Sequence, residues 1–288
     1  IADLVARLAW PLLAGLIVVC IFLLARGADL LVREAVTLSR RSGIPKTVVG
    51  ATVVSMGTTT PEAVVSVLAA VQGRPGLALG NAVGSIICDT GLILGLACLI
   101  APLPLDRRVV GRQGWIQFFS GILLVVGCFP WSDPAAAFSD GGVLNRATGF
   151  LLLGLLAAYL FLSVRWSRTD ALAIEEVEHP DTAGLPLVLA KLVLAIATVL
   201  AASSVLIPSV AEAAERLDVP DSIIAATLVA FGTSVPELVT AVTATRRGHG
   251  ELAVGNVVGA DILNVLFVAG ASAAATAGGL AAPSHFFT

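Results

Sequence analysis

Charged residues are scarce in this sequence. They make up 13% of the 288 residues, and 17 Lys and Arg against 20 Asp and Glu leave a formal net charge of −3. No face or tail gathers enough Lys and Arg to bind a nucleic acid, so a basic nucleic-acid-binding protein is excluded. Hydrophobic residues make up 57%, and the mean hydropathy of +0.95 is far above what a water-soluble domain tolerates. We therefore predict an all-α, polytopic membrane protein.

Cysteine and histidine are also few. The four cysteines lie in or at the ends of apolar stretches without metal-ligand spacing, and the three histidines lie in loops or near the end of the chain. A zinc or copper site built from thiolates or imidazoles is therefore not predicted, and no cofactor is expected. These residues are Cys20, Cys88, Cys98, Cys128, His179, His249 and His285.

Eight apolar stretches are candidates for membrane spans, since a bilayer core about 30 Å thick needs about 20 apolar residues per helix. Twelve of the 17 Lys and Arg residues flank the first, third, fifth and seventh connections. Positive residues stay preferentially in the cytoplasm, so an N-terminus outside the cytoplasm is predicted. The stretches are 9–31, 44–72, 76–101, 114–131, 147–164, 186–211, 220–245 and 252–279.

An internal repeat aligns residues 51–95 with residues 226–270 at a fixed offset of 175 residues, with 19 of 45 columns identical. Five spans separate equivalent stretches, so the second copy enters the membrane in the opposite orientation. Inverted repeats of this kind are typical of transporters. A duplication without remaining functional symmetry is the alternative, although the best-matched columns are polar residues or glycine.

Each copy carries a Gly-Thr-(Thr/Ser)-x-Pro-Glu motif in the middle of an apolar span, at residues 57–62 and 232–237. Proline lacks a backbone donor and suits the first turn of a new helix, so each span is predicted to consist of two half-helices. The carbonyl groups before the break then need another partner, which a cation would supply. A carboxylate inside a span costs at least about 2.5–3.5 kcal/mol, so Glu62 and Glu237 also require compensation.

Asp89 and Asn264 follow the two motif glutamates by 27 residues, on a neighbouring Gly-rich span. Four oxygen-bearing side chains could thus converge midway through the bilayer, and with Thr58, Thr233 and carbonyl groups they approach the six to eight oxygens that calcium takes. Asp261 has no acidic counterpart in the first copy, where Ile86 stands. Its position three residues before Asn264 fits either a site residue or a neighbour that lines the cavity.

At these motifs the sequence closely resembles the cation/calcium exchanger superfamily, in particular prokaryotic sodium/calcium exchangers. The resemblance covers roughly residues 27–99 and 202–279 and implies antiport of Ca²⁺ against Na⁺ by a ten-helix protein in a prokaryotic plasma membrane. The last two helices would then be missing from these 288 residues. By the same resemblance the ion-coordinating positions are Thr58, Thr59, Glu62, Ser85, Asp89, Thr233, Ser234, Glu237 and Asn264.

Three departures from the family pattern concern the site, and one of them is Ile86, which replaces the first-copy Asn of the motif. Asp89 and Asn264 stand where the well-studied prokaryotic pattern has Asn in the first copy and Asp in the second. The number of carboxylates is therefore the same, but one negative charge lies in the first copy instead of the second. Ala260 replaces the second-copy serine and removes a hydroxyl group.

We divide the chain into a first half, residues 1–164, a polar cytoplasmic loop, residues 165–185, and a second half, residues 186–288. Since the chain begins at Ile1, both ends are expected to be incomplete. Proton/calcium antiport is the main alternative function, a passive channel a further one, and an intramembrane hydrolase with two carboxylates a remote one. Inorganic cations and the lipid bilayer are the expected partners, and the oligomeric state cannot be read from the sequence.

Overall fold

The protein is described here from a computed structural model, which describes residues 2–104, 107–170, 184–217, 232–284 and 287. Within these ranges it is mostly helical, as predicted. The helices are α1 Ala2–Ala6, α2 Trp10–Ser42, α3 Lys46–Val49, α4 Ser55–Thr58, α5 Thr60–Val71, α6 Pro75–Ile87, α7 Leu94–Ile100, α8 Arg107–Cys128, α9 Ala136–Ser139, α10 Arg146–Asp170, α11 Leu185–Glu215, α12 Val235–Arg246, α13 Gly250–Leu263 and α14 Gly270–Ala275.

Three π-helical segments continue these helices within the described ranges: π1 Gly50–Val54, π2 Cys88–Ile93 and π3 Asn264–Ala269. Two short strands, β1 Gly142–Leu144 and β2 Leu280–Ala282, pair antiparallel. Neither the π-helical segments nor the strands were predicted from the sequence.

Long apolar helices confirm the polytopic membrane fold. Among the described residues, five helices are long and apolar enough to cross a bilayer, and a bent pair, Lys46–Thr58 with Thr60–Val71, makes a sixth. Helix α8 covers much of the predicted fourth span in 22 residues. The first part of the predicted span 220–245 lies outside the described residues. Most of the predicted polar loop lies outside them as well. The five helices are Trp10–Ser42, Pro75–Ile100, Arg146–Trp166, Leu185–Glu215 and Gly250–Ala275.

The 175-residue offset holds for whole helices, beyond the 45 aligned columns. Helix α11 begins 175 residues after α2, and both carry proline in the first turn. Both ends of α12 lie 175 residues after those of α5. Leu103 and Pro104, which follow α7, lie against Gly250 at the start of α13. The matched spans Pro75–Ile100 and Gly250–Ala275 therefore run in opposite directions, as an inverted repeat requires.

Contacts between connections sort them into two ends of the molecule. At one end β1 pairs with β2, and the Arg216 guanidinium donates to the carbonyl oxygens of Ala6 and Leu8. At the other end Lys46 Nζ lies 3.5 Å from His249 Nδ1. This sorting matches the alternation of connections in the sequence. Which end faces the cytoplasm remains a prediction from the charge distribution.

The span Gly250–Ala275 lies at the centre of the helix bundle. In its most apolar stretch of 18 residues, 94% of the residues are buried. In the corresponding stretch of the matching span Pro75–Ile100, 22% are buried. Close approach contributes to this burial: a Cβ atom on Gly255 or Gly259 would overlap the backbone of Thr47 or Ala51. The first-copy equivalents, Gly80 and Gly84, have no neighbour within 4 Å among the described residues, and the positions equivalent to Thr47 and Ala51 lie outside that part of the chain.

Candidate cation-binding site

The helix break of the first copy lies midway along its span. Thr59 (φ −79°, ψ 0°) separates α4 from α5, and the two halves are bent by 46°. Since Pro61 has no N–H, the Gly57 carbonyl loses its helical donor. In the second copy Thr233 and Ser234 form the turn before α12. The predicted discontinuity is confirmed in the first copy, which needs one non-helical residue rather than an unwound Gly-Thr-Thr turn. The half-helix expected before the second-copy motif lies outside the described residues.

Glu62 and Glu237, one from each copy, lie near each other. They lie in the first turns of α5 and α12, where the helix dipole favours a negative charge, and each is 1% exposed. Their carboxylates are close enough to repel each other. The Thr59 hydroxyl donates a hydrogen bond of 3.2 Å to Glu237 Oε1, which places the second-copy glutamate beside the first-copy break.

In each copy an asparagine accepts a hydrogen bond from the motif threonine of the other copy. Thr58 Oγ1 donates to Asn256 Oδ1 at 3.5 Å, and Thr233 Oγ1 donates to Asn81 Oδ1 at 3.3 Å. Because the two bonds are equivalent under the 175-residue offset, the two breaks are held by matching contacts that cross between the copies.

Asn81 additionally bonds the helix that carries Glu62. Its amide donates to Ser66 Oγ at 2.9 Å and to the Glu62 carbonyl oxygen at 3.4 Å. Sequence reasoning missed Asn81 and Asn256 as site-forming residues. The signal was present, since both belong to the best-matched Gly-Asn-x-Val-Gly columns of the repeat.

Asp89 and Asn264 lie where the second helix of each copy becomes π-helical. Asp89 is in the first turn of π2, and Asn264 begins π3. Both are buried, 1% and 0% exposed, and Asp89 is close enough to Glu62 and Glu237 to repel both. Isolated π-helical turns occur frequently at functional sites because they re-aim side chains.

Asp261 is buried on α13, and its partners come from other elements. Its Oδ2 accepts a hydrogen bond of 2.6 Å from Thr90 Oγ1 and a very short one from Gln117 Nε2. Thr90 directly follows Asp89, so Asp261 lies at the edge of the group formed by Glu62, Glu237 and Asp89. Sequence reasoning missed Gln117, which belongs to neither repeat.

Ser234 and Ser85 are also buried, and Thr233 is half-buried. Ser234 lies beside Asp89, and Thr233 lies beside Glu62. Ser85 is 1% exposed, and its hydroxyl has no hydrogen-bond partner among the described residues. The structure thus brings together residues from α4, α5, α12, α13 and the two π-helical turns.

Many of the buried oxygen atoms at this site lack a hydrogen-bond partner within the described part of the chain. Such atoms carry the full cost of leaving water, and an oxygen-binding cation would remove that cost. No three His, Cys, Asp or Glu side chains among the described residues form a metal-binding group by themselves, so hydroxyl, amide and carbonyl oxygens would have to complete a coordination shell. The atoms are Glu62 Oε2, Glu237 Oε2, Asp89 Oδ1 and Oδ2, Asp261 Oδ1, Asn264 Oδ1, Ser85 Oγ and Ser234 Oγ.

Known proteins share this architecture. A family model described as sodium/calcium exchanger protein matches residues 12–165 and 187–286. The inner membrane protein YrbG of Escherichia coli is 35% identical over 274 residues, 93% of this chain and 81% of its own length. The sodium/calcium exchanger MaX1 of Methanosarcina acetivorans is 31% identical over 295 residues, covering 92% and 83%.

A solved structure of the sodium-calcium exchanger NCX_Mj, soaked without Na⁺ and Ca²⁺, superposes with a TM-score of 0.80 at 28% identity and covers 96% of this chain and 86% of that one. The resemblance expected from the two motifs is therefore confirmed over nearly the whole chain. On the family match and the inverted, helix-broken architecture, this multi-pass membrane protein belongs to the sodium/calcium exchanger family.

Proposed function

We propose that the protein exchanges Ca²⁺ for Na⁺ by alternating access to the buried site, with the predicted residues as ion ligands. One observation carries the proposal: Glu62, Glu237 and Asp89, drawn from both inverted copies, lie close together and buried. Family membership supports the coarser statement that the protein exchanges cations. The proposed ligands are Thr58, Thr59, Glu62, Ser85, Asp89, Thr233, Ser234, Glu237, Asp261 and Asn264.

The chemistry of the ligands favours calcium over softer metal ions. Carboxylate, hydroxyl and amide oxygens are hard ligands, and calcium takes six to eight of them in flexible geometry. The second copy supplies Asn264 and Ala260 where the family pattern has an acid and a serine. The negative charge of the missing acid therefore has to come from Asp89 in the first copy.

Exchange follows from competition for the same carboxylates. Either one divalent ion or several monovalent ions can neutralise these carboxylates, but the two kinds of ion cannot be bound at the same time. The long matched helices α2 and α11 would move relative to the broken helices and open the site to one side at a time. We further propose that the N-terminus lies outside the cytoplasm, because the positively charged connections lie on the opposite side.

Proton/calcium exchange remains the second candidate, since the same buried carboxylates could bind protons. Proteoliposomes that contain the purified protein distinguish the two. An outward sodium gradient at equal pH should drive uptake of radioactive calcium, whereas a pH gradient without sodium should not. Calcium uptake driven only by the pH gradient would establish proton/calcium exchange. Calcium uptake that needs neither gradient would indicate a channel.

A further inference from the structure

A tyrosine on α10, outside both aligned copies of the repeat, donates a hydrogen bond to the backbone of the first broken helix. Tyr159 is the only tyrosine of the sequence and is 5% exposed. Its Oη lies 3.1 Å from the carbonyl oxygen of Ala51 in π1, although 108 positions separate the two residues. Neither the motifs nor the proposed ion ligands account for this contact.

The Ala51 carbonyl needs a donor because of the π-helical turn. In a regular α-helix it would accept a hydrogen bond from the N–H of Ser55, four residues later. In π1 the Ser55 N–H donates to the carbonyl oxygens of Gly50 and Thr52 instead. Ala51 is buried, with 0% exposure, and a buried carbonyl without its usual donor costs free energy. The Tyr159 hydroxyl therefore replaces the donor that the π-helical turn takes away.

Gln113 of α8 orients the Tyr159 hydroxyl. The side-chain amide of Gln113 lies 2.9 Å from Tyr159 Oη, and Gln113 is 4% exposed. A phenol has one proton and can donate it to only one of two acceptors. Both contacts are satisfied when the Gln113 amide is turned over, since its Nε2 then donates to Tyr159 Oη and leaves the phenol proton for the Ala51 carbonyl.

The π-helical turn sets the direction in which the end of the half-helix faces. One residue of an α-helix turns the chain by about 100°, so loss of the extra residue in π1 would rotate Gly57 and Thr58 by about that angle. In the structure a Cβ atom on Gly57 would lie 2.5 Å from Ile196 Cδ1 on α11, and the Thr58 hydroxyl donates to Asn256. Both contacts depend on the rotation that π1 imposes.

We propose that Tyr159 is a positioning residue for the cation site. Its hydroxyl, oriented by Gln113, favours the π-helical turn over a regular α-helical one and thereby fixes the direction of Thr58 and of the break that follows. Tyr159 acts through the backbone of Ala51 rather than as an ion ligand. The inference rests on the proposed exchange function, because it assigns to that site a contact that keeps its ligands in place.

Equilibrium binding of radioactive calcium to the purified protein in detergent tests the proposal. Tyr159→Phe removes the hydroxyl and keeps the ring, so calcium affinity should fall by about five- to tenfold, the effect of one lost hydrogen bond. Gln113→Leu should weaken binding as well, and adding it to Tyr159→Phe should cost less than about twofold more. Thr148→Val is the control on the same helix, because the Thr148 hydroxyl bonds to Asn145 beside the start of α10. It should leave the affinity unchanged.

Two results would overturn the proposal. An unchanged calcium affinity in Tyr159→Phe would show that the hydroxyl does not position the site. In a Thr58→Val background the loss caused by Tyr159→Phe should shrink to under about threefold, and a loss as large as in the wild type would show that Tyr159 does not act through Thr58. If Tyr159→Phe does not fold, Gln113→Leu takes its place in both measurements, with the same expected and contrary results.

Hydrogen exchange of the backbone amides separates this inference from the proposed exchange. If the wild type fails to bind calcium at all, the exchange proposal fails, yet the contact with Ala51 still predicts a local effect. In Tyr159→Phe the amides of residues 52–58 should exchange about five- to tenfold faster, while those of α12 keep their wild-type rates. Unchanged rates in residues 52–58 would contradict the positioning role. Equal acceleration in both segments would also contradict it, because it would show a general loss of stability.

Discussion

The hydroxyl of Thr59 and the carboxylate of Glu237 are 178 positions apart in the chain and joined by a hydrogen bond of 3.2 Å. The bond links the helix break of one copy to the motif glutamate of the other. Neither copy alone could form this contact, so the site exists only where the two inverted copies meet.

The crossed asparagine and threonine contacts predict energetic coupling between the copies. Asn81→Leu should lower the free energy of unfolding by about 1–3 kcal/mol, because it leaves the half-buried Thr233 hydroxyl and the buried Ser66 hydroxyl without their partner. Thr233→Val in the Asn81→Leu background should cost less than in the wild type, since its partner is already gone. Denaturant titration in detergent micelles measures all four states of this cycle.

Thr198→Val serves as the matched control for the cycle. The Thr198 hydroxyl is exposed and bonds only to the Leu194 carbonyl within its own helix. Its effect should add to that of Asn81→Leu. Additive effects for Thr233→Val as well would show that the contact between Asn81 and Thr233 contributes nothing.

Gly259 should not tolerate a side chain. Gly259→Ala places a Cβ against the backbone of Ala51 and should lower the free energy of unfolding by about 1–3 kcal/mol. Gly154→Ala, on α10, meets no described atom within 4 Å and should be neutral or raise the free energy of unfolding by up to about 1 kcal/mol through helix propensity. Equal effects of the two variants would refute the close packing of Gly259 on Ala51.

His249 predicts a dependence of stability on pH at one end of the molecule. Burial and the nearby charge of Lys46 lower the pKa of His249 from its ordinary value. The unfolded chain therefore binds the proton more readily, and stability is lost as the pH falls below about 6.5, the unfolded value. Melting temperatures between pH 7.5 and 5.5 should fall less in His249→Gln than in the wild type, and parallel curves would contradict this role.

The repeat made much of the site predictable from the sequence. Glu62, Glu237 and Asp89 are polar residues in apolar spans, and the cost of burying them signals a site whatever the tertiary packing. Proline in the middle of an apolar span likewise predicted the helix breaks, because its missing N–H interrupts a helix whatever the tertiary packing. The inverted orientation followed from counting spans, since an odd number separates the copies.

Other features depended on tertiary contacts that no local pattern encodes. Gln117 reaches Asp261 from a helix outside both copies, so no periodicity or offset pointed to it. Likewise, the glycine spacing of the second copy does not reveal which backbone Gly255 and Gly259 pack on, and the structure shows that it is the backbone of Thr47 and Ala51.

Calcium binding at equilibrium to Glu62→Gln, Glu237→Gln and the double variant tests the shared site most directly, with Glu212→Gln, from a half-buried ion pair with Arg216, as the control. If one ion is held by both glutamates, each single variant should weaken binding at every occupied site by about tenfold or more, and the double variant should lose less than the sum of the two effects. Single variants that each remove half of the bound calcium and leave the other half at wild-type affinity would instead show two independent sites and contradict the account.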